Sequence, residues 1–190
     1  MSDFEFIFVL YSLLLGLSLV ELLGGLGRVI ELRFAQHNAA SIKIGYLTPA
    51  LGAFVMLDLL SFWLFAWSVR NLLTVTPASL LAVMMFASCY YLAARLVFPS
   101  DPSRLANIDD HYFRVRRLVL GLLIALVGVQ WAYLLSIEVI RQALLTSFSV
   151  GMTLMLVALM IATAVIRHPG WSLVLLLTLS GRYLALYLVV

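Results

Sequence analysis

Three charged side chains interrupt segments that are otherwise apolar enough for a lipid bilayer. Glu21 lies within "LSLVELLGGLG" (residues 17–27), Asp58 within "FVMLDLLSFW" and Arg182 within "LSGRYLAL". A carboxylate in such surroundings can bind a cation or exchange a proton, and an arginine can neutralise an acid. Because an unpaired charge inside a membrane is costly, each of these residues needs a partner or a function.

The rise of an α-helix converts positions in the sequence into depths in the membrane. Asp58 and Arg182 are placed at a common level, roughly 14 to 16 Å from the cytoplasmic edge. Glu21 is about one turn shallower, at ~10 Å, level with Tyr90 and Tyr91. The shared levels predict that Asp58 pairs with Arg182 and that Glu21 meets a tyrosine.

Further polar side chains are predicted to lie beside these charges. Ser18 shares a helix face with Glu21, since the two are three residues apart. Ser61 shares a face with Asp58 for the same reason. Gln130 lies at ~18 Å, close to the level of Asp58. Together these residues form a candidate polar network inside the membrane.

Three interpretations of this network remain open. In the structural one, the Asp58–Arg182 pair fixes the register of the helices, and Glu21 is hydrogen-bonded to a tyrosine or protonated. Arg95, closer to the cytoplasm than Glu21, is expected to extend to the interface. In the functional one, the groups line a hydrated path for protons, ions or a small polar solute. In the third, they form a face that binds a partner protein. Two acids against one midmembrane arginine leave a surplus carboxylate, which a purely structural network does not require.

Glycines in the first apolar segment predict close helix packing. Gly24 and Gly25 lie three and four residues after Glu21, and Gly16 lies five residues before it. Small residues let a second helix approach the backbone. We therefore expect Glu21 to face the third apolar segment or a second copy of the chain.

The composition places all of these residues in a membrane protein. Hydrophobic residues make up 64% of the chain and charged residues 11%, and the mean hydropathy is +1.11. Soluble domains carry about twice that charged fraction. Each apolar segment is about 20 residues long, which matches a hydrocarbon core of ~30 Å. The sequence predicts an all-α polytopic membrane protein with spans at about 6–27, 49–69, 77–98, 118–137, 144–166 and 171–190.

The distribution of basic residues predicts the orientation. One side of the membrane holds two basic residues, Arg70 and Arg141. The other side holds nine, namely Arg28, Arg33, Lys43, Arg95, Arg104, Arg114, Arg116, Arg117 and Arg167. Basic residues are retained on the cytoplasmic side. Both termini are therefore expected outside the cytoplasm, with Arg114, Arg116 and Arg117 at a cytoplasmic basic edge.

The longest polar stretch, residues 99–117, is predicted to be a cytoplasmic loop. Asp109, Asp110 and His111 resemble metal ligands in type, but consecutive residues entering a helix do not converge on one ion. Acids at the start of a helix are favoured by its dipole, so we prefer this reading. We expect no metal site and no cofactor. Motifs of membrane hydrolases and nucleotide-binding proteins are absent from the sequence, which argues against an enzyme, and the small net charge of +3 argues against nucleic-acid binding.

Two pairs of segments indicate an internal repeat. "CYYLAARLVF" is similar to "GRYLALYLVV", and "LLLGLSLVELL" is similar to "LVLGLLIALVG". Three spans per half would give the halves opposite topology, an arrangement that recurs in transporters. A 3+3 inverted repeat is therefore a further prediction.

Four stretches resemble one family. "FEFIFVLYSLLLGLSLVELLGGLGR", "GYLTPALGAFVMLDLLSFW", "YYLAARLVFPSDP" and "DDHYFRVRR" are similar to small six-span inner-membrane proteins of bacteria, over most of residues 4–117. The resemblance implies the topology and brings no substrate, cofactor or catalytic residue.

Two classes of function follow from the sequence. The first is a channel or transporter for protons, ions or a small polar solute in the bacterial inner membrane. Because six short spans leave little room for a central cavity in one subunit, we expect a homo-oligomer. The second is a non-transporting membrane scaffold or accessory subunit with structural buried charges. A water-accessible cavity at Glu21 or Asp58 would favour the first class, and dry, paired acids would favour the second.

Overall fold

The protein folds into α-helices throughout the part of the chain that the structure describes. The computed structural model describes residues 3–35, 45–68, 70, 76–102, 105 and 107–189. Within these residues there are seven helices and no strand. The helices are α1 (Asp3–Ala35), α2 (Leu47–Ser68), α3 (Pro77–Val97), α4 (Ile108–Ser136), α5 (Glu138–Leu144), α6 (Ser147–Val165) and α7 (Pro169–Val189).

Six of these helices are long and apolar enough to cross a membrane, and only α5 is too short. Large hydrophobic side chains remain exposed along them, for example Leu13, Leu64 and Leu154, which are 62%, 58% and 64% exposed. A water-soluble fold would bury such side chains against one another. The prediction of an all-α, multi-pass membrane protein with six spans is therefore confirmed.

The helix ends refine the predicted boundaries. α3 begins as expected, with Thr76 as the N-cap, Pro77 in the first turn and Ser79 completing a capping box. α4 begins at Ile108, so the second half of the stretch predicted as a loop is helical. The segment between the fourth and fifth spans forms the short helix α5. Residues 69, 103–104, 106 and 190, at or near predicted ends, lie outside the described residues.

The start of α2 is joined to the start of α4. The backbone N–H of Leu47 donates to Asp109 Oδ1 at 3.1 Å, and the Thr48 hydroxyl donates to the carbonyl of Ile108, also at 3.1 Å. A Cβ at Gly45 would overlap the Asp109 carboxyl group. Asn107 caps α4 itself. Asp109 therefore satisfies a free N–H at the first turn of α2, as well as lying in the first turn of its own helix.

The helices pack in an order that does not follow the predicted repeat. α1 packs mainly along α3, α2 along α7, and α3 along α4. The counterpart of α1 in the second half is α4, which packs along α3 and α6 rather than along α7. The inverted repeat remains a prediction without support from the packing.

Phe98, directly after α3, fills a space made by two glycines. A Cβ at Gly25 of α1 would lie 2.6 Å from Phe98, and one at Gly52 of α2 would lie 2.9 Å from its ring. Glycine at both positions therefore permits Phe98, which is 4% exposed, to lie between the two helices. By contrast, no neighbouring atom lies within 4 Å of a Cβ at Gly16, and Gly24 would meet only Arg28 of its own helix. Packing within this chain therefore explains Gly25 but not Gly16 or Gly24.

Candidate functional site

Asp58 lies in the core and binds two tyrosines. Asp58 is only 3% exposed. Its carboxylate accepts hydrogen bonds from Tyr90 of α3 at 2.8 Å and from Tyr183 of α7 at 2.5 Å. Both tyrosines are 4% exposed. Tyr187, one turn beyond Tyr183, donates to the carbonyl of Leu57 at 2.9 Å. These bonds connect α2 to both α3 and α7.

The predicted ion pair between Asp58 and Arg182 is not formed. No ion pair joins the two residues, although both are described and Arg182 is close enough to act on Asp58 electrostatically. The Arg182 guanidinium instead lies 5.2 Å from the centre of the Tyr183 ring. Its Nε and Nη1 groups are buried without an acceptor among the described residues. Consecutive helix residues point about 100° apart, so the Tyr183 hydroxyl, rather than the Arg182 guanidinium, makes the direct contact with Asp58.

Glu21 is bound by α3, as the sequence predicted, but its main partner is an arginine. Arg95 Nη1 lies 3.0 Å from Glu21 Oε2, and the Tyr91 hydroxyl donates to Oε1 at 3.4 Å. Arg95 therefore forms an ion pair with Glu21, and is not simply a side chain that extends to the interface. The Glu21 side chain is 25% exposed and that of Arg95 is 41% exposed. This pair is thus less buried within the protein than Asp58.

The remaining members of the predicted network do not join it. The Ser18 hydroxyl, although buried, donates to the Leu14 carbonyl of its own helix at 2.9 Å. Ser61 is half-buried and belongs to neither acid's set of hydrogen bonds. Gln130 lines a different space, described next. The structure therefore separates the predicted network into two carboxylate sites, one at Asp58 and one at Glu21.

An aromatic cavity lies between α1, α2, α3 and α4. Its volume is about 200 Å³, and its walls include Tyr11, Phe62, Phe86 and Gln130. Phe62 stacks on Phe86 with ring centres 4.3 Å apart. The Tyr11 hydroxyl is buried and has no acceptor within the described residues. Neither Asp58 nor Glu21 lines this cavity.

The predicted basic edge contains one arginine that is buried. Arg114 and Arg117 are exposed, whereas Arg116 is 2% exposed. Arg116 Nη1 donates to the carbonyls of Thr163, at 3.2 Å, and Ile166, and its guanidinium lies 4.8 Å from the centre of the Phe113 ring. The basic edge remains a prediction, but Arg116 is buried within the protein, because carbonyl groups freed at the end of α6 require a donor.

Sequence reasoning missed Tyr183, Arg95 and Phe98 as partners. The similarity of "CYYLAARLVF" to "GRYLALYLVV" aligns Tyr183 with Tyr91, and this alignment was a signal that Tyr183 could also bind an acid. The spacing of Tyr91 and Arg95, four residues apart, was a signal that both face the same helix. Within the described residues, no group of three His, Cys, Asp or Glu side chains is arranged to hold a metal ion.

Comparisons with protein-family models, with curated proteins and with solved structures find no match to this chain. The resemblance to small six-span inner-membrane proteins of bacteria remains a prediction.

Proposed function

We propose that this membrane protein is a non-transporting scaffold or accessory subunit whose buried charges hold its helices together. The observation that supports this proposal most strongly is the Asp58 site. Two hydroxyls from two other helices donate to this carboxylate, which is almost fully excluded from solvent. Such a group links three helices and fixes their rotation, which is a sufficient reason for its presence.

The aromatic cavity supports the same proposal. It is mainly apolar, and neither Asp58 nor Glu21 is in its walls. A path for ions or protons requires polar groups along a hydrated route. Glu21 also has a cationic partner, so its charge is balanced without a transported ion.

Liposome reconstitution tests this proposal. We expect no flux of protons, Na⁺ or K⁺ above that of protein-free liposomes, measured with a pH-sensitive dye and with ion-selective dyes. Tyr183→Phe should lower the melting temperature of the purified protein without creating or abolishing flux. A flux that disappears in Asp58→Asn, while the melting temperature is unchanged, would overturn the scaffold proposal.

A second candidate function is transport of protons, ions or a small polar solute. Glu21 favours it, because its carboxylate is 25% exposed, unlike the sealed Asp58. In this case Arg95 would release Glu21 when a cation or proton binds. Glu21→Gln should then abolish flux while the protein still folds and assembles. Glu138→Gln is the matched control, because Glu138 forms a more exposed ion pair with Arg141.

The cellular setting is part of the proposal. We propose a location in the bacterial inner membrane, with both termini outside the cytoplasm, since nine basic residues lie on the opposite side. We also propose a homo-oligomer, because among the described residues a Cβ at Gly16 would meet no atom within 4 Å and one at Gly24 would meet only Arg28 of its own helix, which leaves room for a second copy. Light scattering of the detergent-solubilised protein measures the number of copies, and a single copy would contradict this part.

A further inference from the structure

A groove lined by arginines opens where α4 passes the end of α6. Its volume is about 460 Å³, and we call it the arginine groove. Its lining residues come from α4 and from the connection between α6 and α7, namely Phe113, Arg114, Arg116, Arg117 and Arg167. We propose that the arginine groove binds the phosphate group of an anionic phospholipid. This inference is independent of the scaffold proposal.

The charge of the groove is of one sign. Four of its five lining residues are arginines and none is acidic. Within the described residues, the ion pairs involve Arg95 and Arg141, so no ion pair neutralises these four arginines. Guanidinium groups bind phosphate oxygens through pairs of N–H donors. The site therefore has unused positive charge and the donor type that a phosphate requires.

One wall of the groove is fixed in position. The Arg116 side chain is buried and its Nη1 is used by carbonyl groups at the end of α6, while its Nε is buried without an acceptor among the described residues. The Phe113 ring packs against the same guanidinium. A rigid arginine loses little conformational freedom when a ligand binds. The exposed Arg114 and Arg167 can then close on the ligand from the solvent side.

The position of the groove selects a lipid over a free anion. α6 has 19 residues, which corresponds to ~28 Å and so to about the thickness of the hydrocarbon core. Arg167 lies two residues beyond the end of α6 at Val165, and therefore at the level of the headgroups. Leu118 and Val165, next to the groove in sequence, are 55% and 62% exposed. A phosphate in the groove would thus place its acyl chains against an apolar surface.

Native mass spectrometry of the full chain tests the proposal. Phosphatidylglycerol and phosphatidylcholine with the same dioleoyl chains are titrated into the detergent-solubilised protein. We expect tighter binding of phosphatidylglycerol, and a loss of roughly 25-fold in Arg114→Gln/Arg167→Gln, since each arginine near an anionic headgroup contributes about fivefold. Arg116 is left unchanged because its bonds to α6 are structural.

The matched control removes two arginines from the other side of the protein. Arg70→Gln/Arg141→Gln should leave phosphatidylglycerol binding unchanged. Equal loss in the two double variants would show a general charge effect and overturn the assigned site. Equal binding of the two lipids by the wild-type protein, or displacement of phosphatidylglycerol by equimolar inorganic phosphate, would overturn the proposal even where a variant fails to fold.

Discussion

Tyr90 and Tyr91 are consecutive residues of α3 whose hydroxyls donate to two different acids. Tyr90 binds Asp58 of α2 at 2.8 Å, and Tyr91 binds Glu21 of α1 at 3.4 Å. Neighbouring helix positions diverge by about 100°, so this pair of tyrosines connects α3 to two different helices. The two carboxylate sites together therefore fix the rotation of α3 about its axis.

The hydroxyl donors of Asp58 should each contribute measurably to stability. Tyr90→Phe and Tyr183→Phe each leave the buried carboxylate with one donor fewer, at a cost of about 1.5–3 kcal/mol for a hydrogen bond to a charged group. Thermal or denaturant unfolding in detergent, followed by tryptophan fluorescence, measures this difference.

Tyr133→Phe is the control for these two variants, because Tyr133 is 45% exposed. It should change the free energy of unfolding by less than about 0.5 kcal/mol. If the two buried tyrosines behave like Tyr133, the Asp58 hydrogen bonds are not those of the folded protein.

Neutralising Arg182 should not restore the stability that is lost when Asp58 is replaced. Asp58→Asn removes the negative charge and replaces one of the two accepting oxygens with an amide NH2, which cannot accept from a tyrosine hydroxyl, so adding Arg182→Gln should not restore stability. In double-mutant cycles, the coupling of Asp58 with Tyr183 should exceed its coupling with Arg182. Recovery of most of the lost stability in Asp58→Asn/Arg182→Gln would instead support the ion pair that depth alone predicted.

The Glu21–Arg95 ion pair should contribute less to stability than a fully buried ion pair would. Its two side chains are 25% and 41% exposed, so we expect a coupling energy of about 0–1 kcal/mol. The exchanged variant Glu21→Arg/Arg95→Glu should be more stable than either single charge reversal. The Glu138–Arg141 pair gives the reference value for an exposed pair within the same chain. A coupling of several kcal/mol would mean that the pair is dry in the membrane.

Gly25 should not tolerate even a methyl group. Gly25→Ala would place its Cβ 2.6 Å from atoms of Phe98 that include the Cβ, which cannot move without the backbone. We expect a loss of about 1–3 kcal/mol from overpacking. Gly16→Ala is the matched control in the same helix, where the added Cβ meets no atom within 4 Å. Equal melting temperatures of the two variants would rule out close packing at Gly25.

The orientation in the membrane is tested by reporter fusions. Alkaline phosphatase is active only outside the cytoplasm, so a fusion at residue 190 should be active and fusions within 99–110 should be inactive. The expectation rests on the distribution of basic residues. The reverse pattern of activity would show that the topology is the opposite of the one predicted, with the arginine groove on the outer surface.

Hydropathy was sufficient to predict the six spanning helices, because each apolar run has the length of a bilayer crossing. Depth was sufficient to bring Glu21 near Tyr91, since the rise per residue is regular. Depth could not choose between Arg182 and Tyr183, which differ by one residue in height but point in different directions. That choice depends on how each helix is rotated, and rotation is set by packing of residues distant in the sequence.

Arg116 illustrates a second limit. A basic residue near a helix end is usually placed at the interface, and the sequence gives no sign that one arginine of three turns inward. The cause lies in another helix, where carbonyl groups at the end of α6 lack donors from their own backbone. Such a demand becomes visible only when the two helix ends are known to meet.

The distance along the chain between Asp58 and Tyr183 has a consequence for biosynthesis. The two residues are 125 positions apart, so at ~5–20 residues per second the ribosome needs roughly 6 to 25 s to make the second after the first. Tyr90, which follows Asp58 by 32 residues, is the one of the two donors that is made early in this interval. A nascent chain that lacks α7 thus carries the Asp58 carboxylate with one hydrogen-bond donor fewer than in the folded protein, so the Asp58 site is complete only when the last helix has been made.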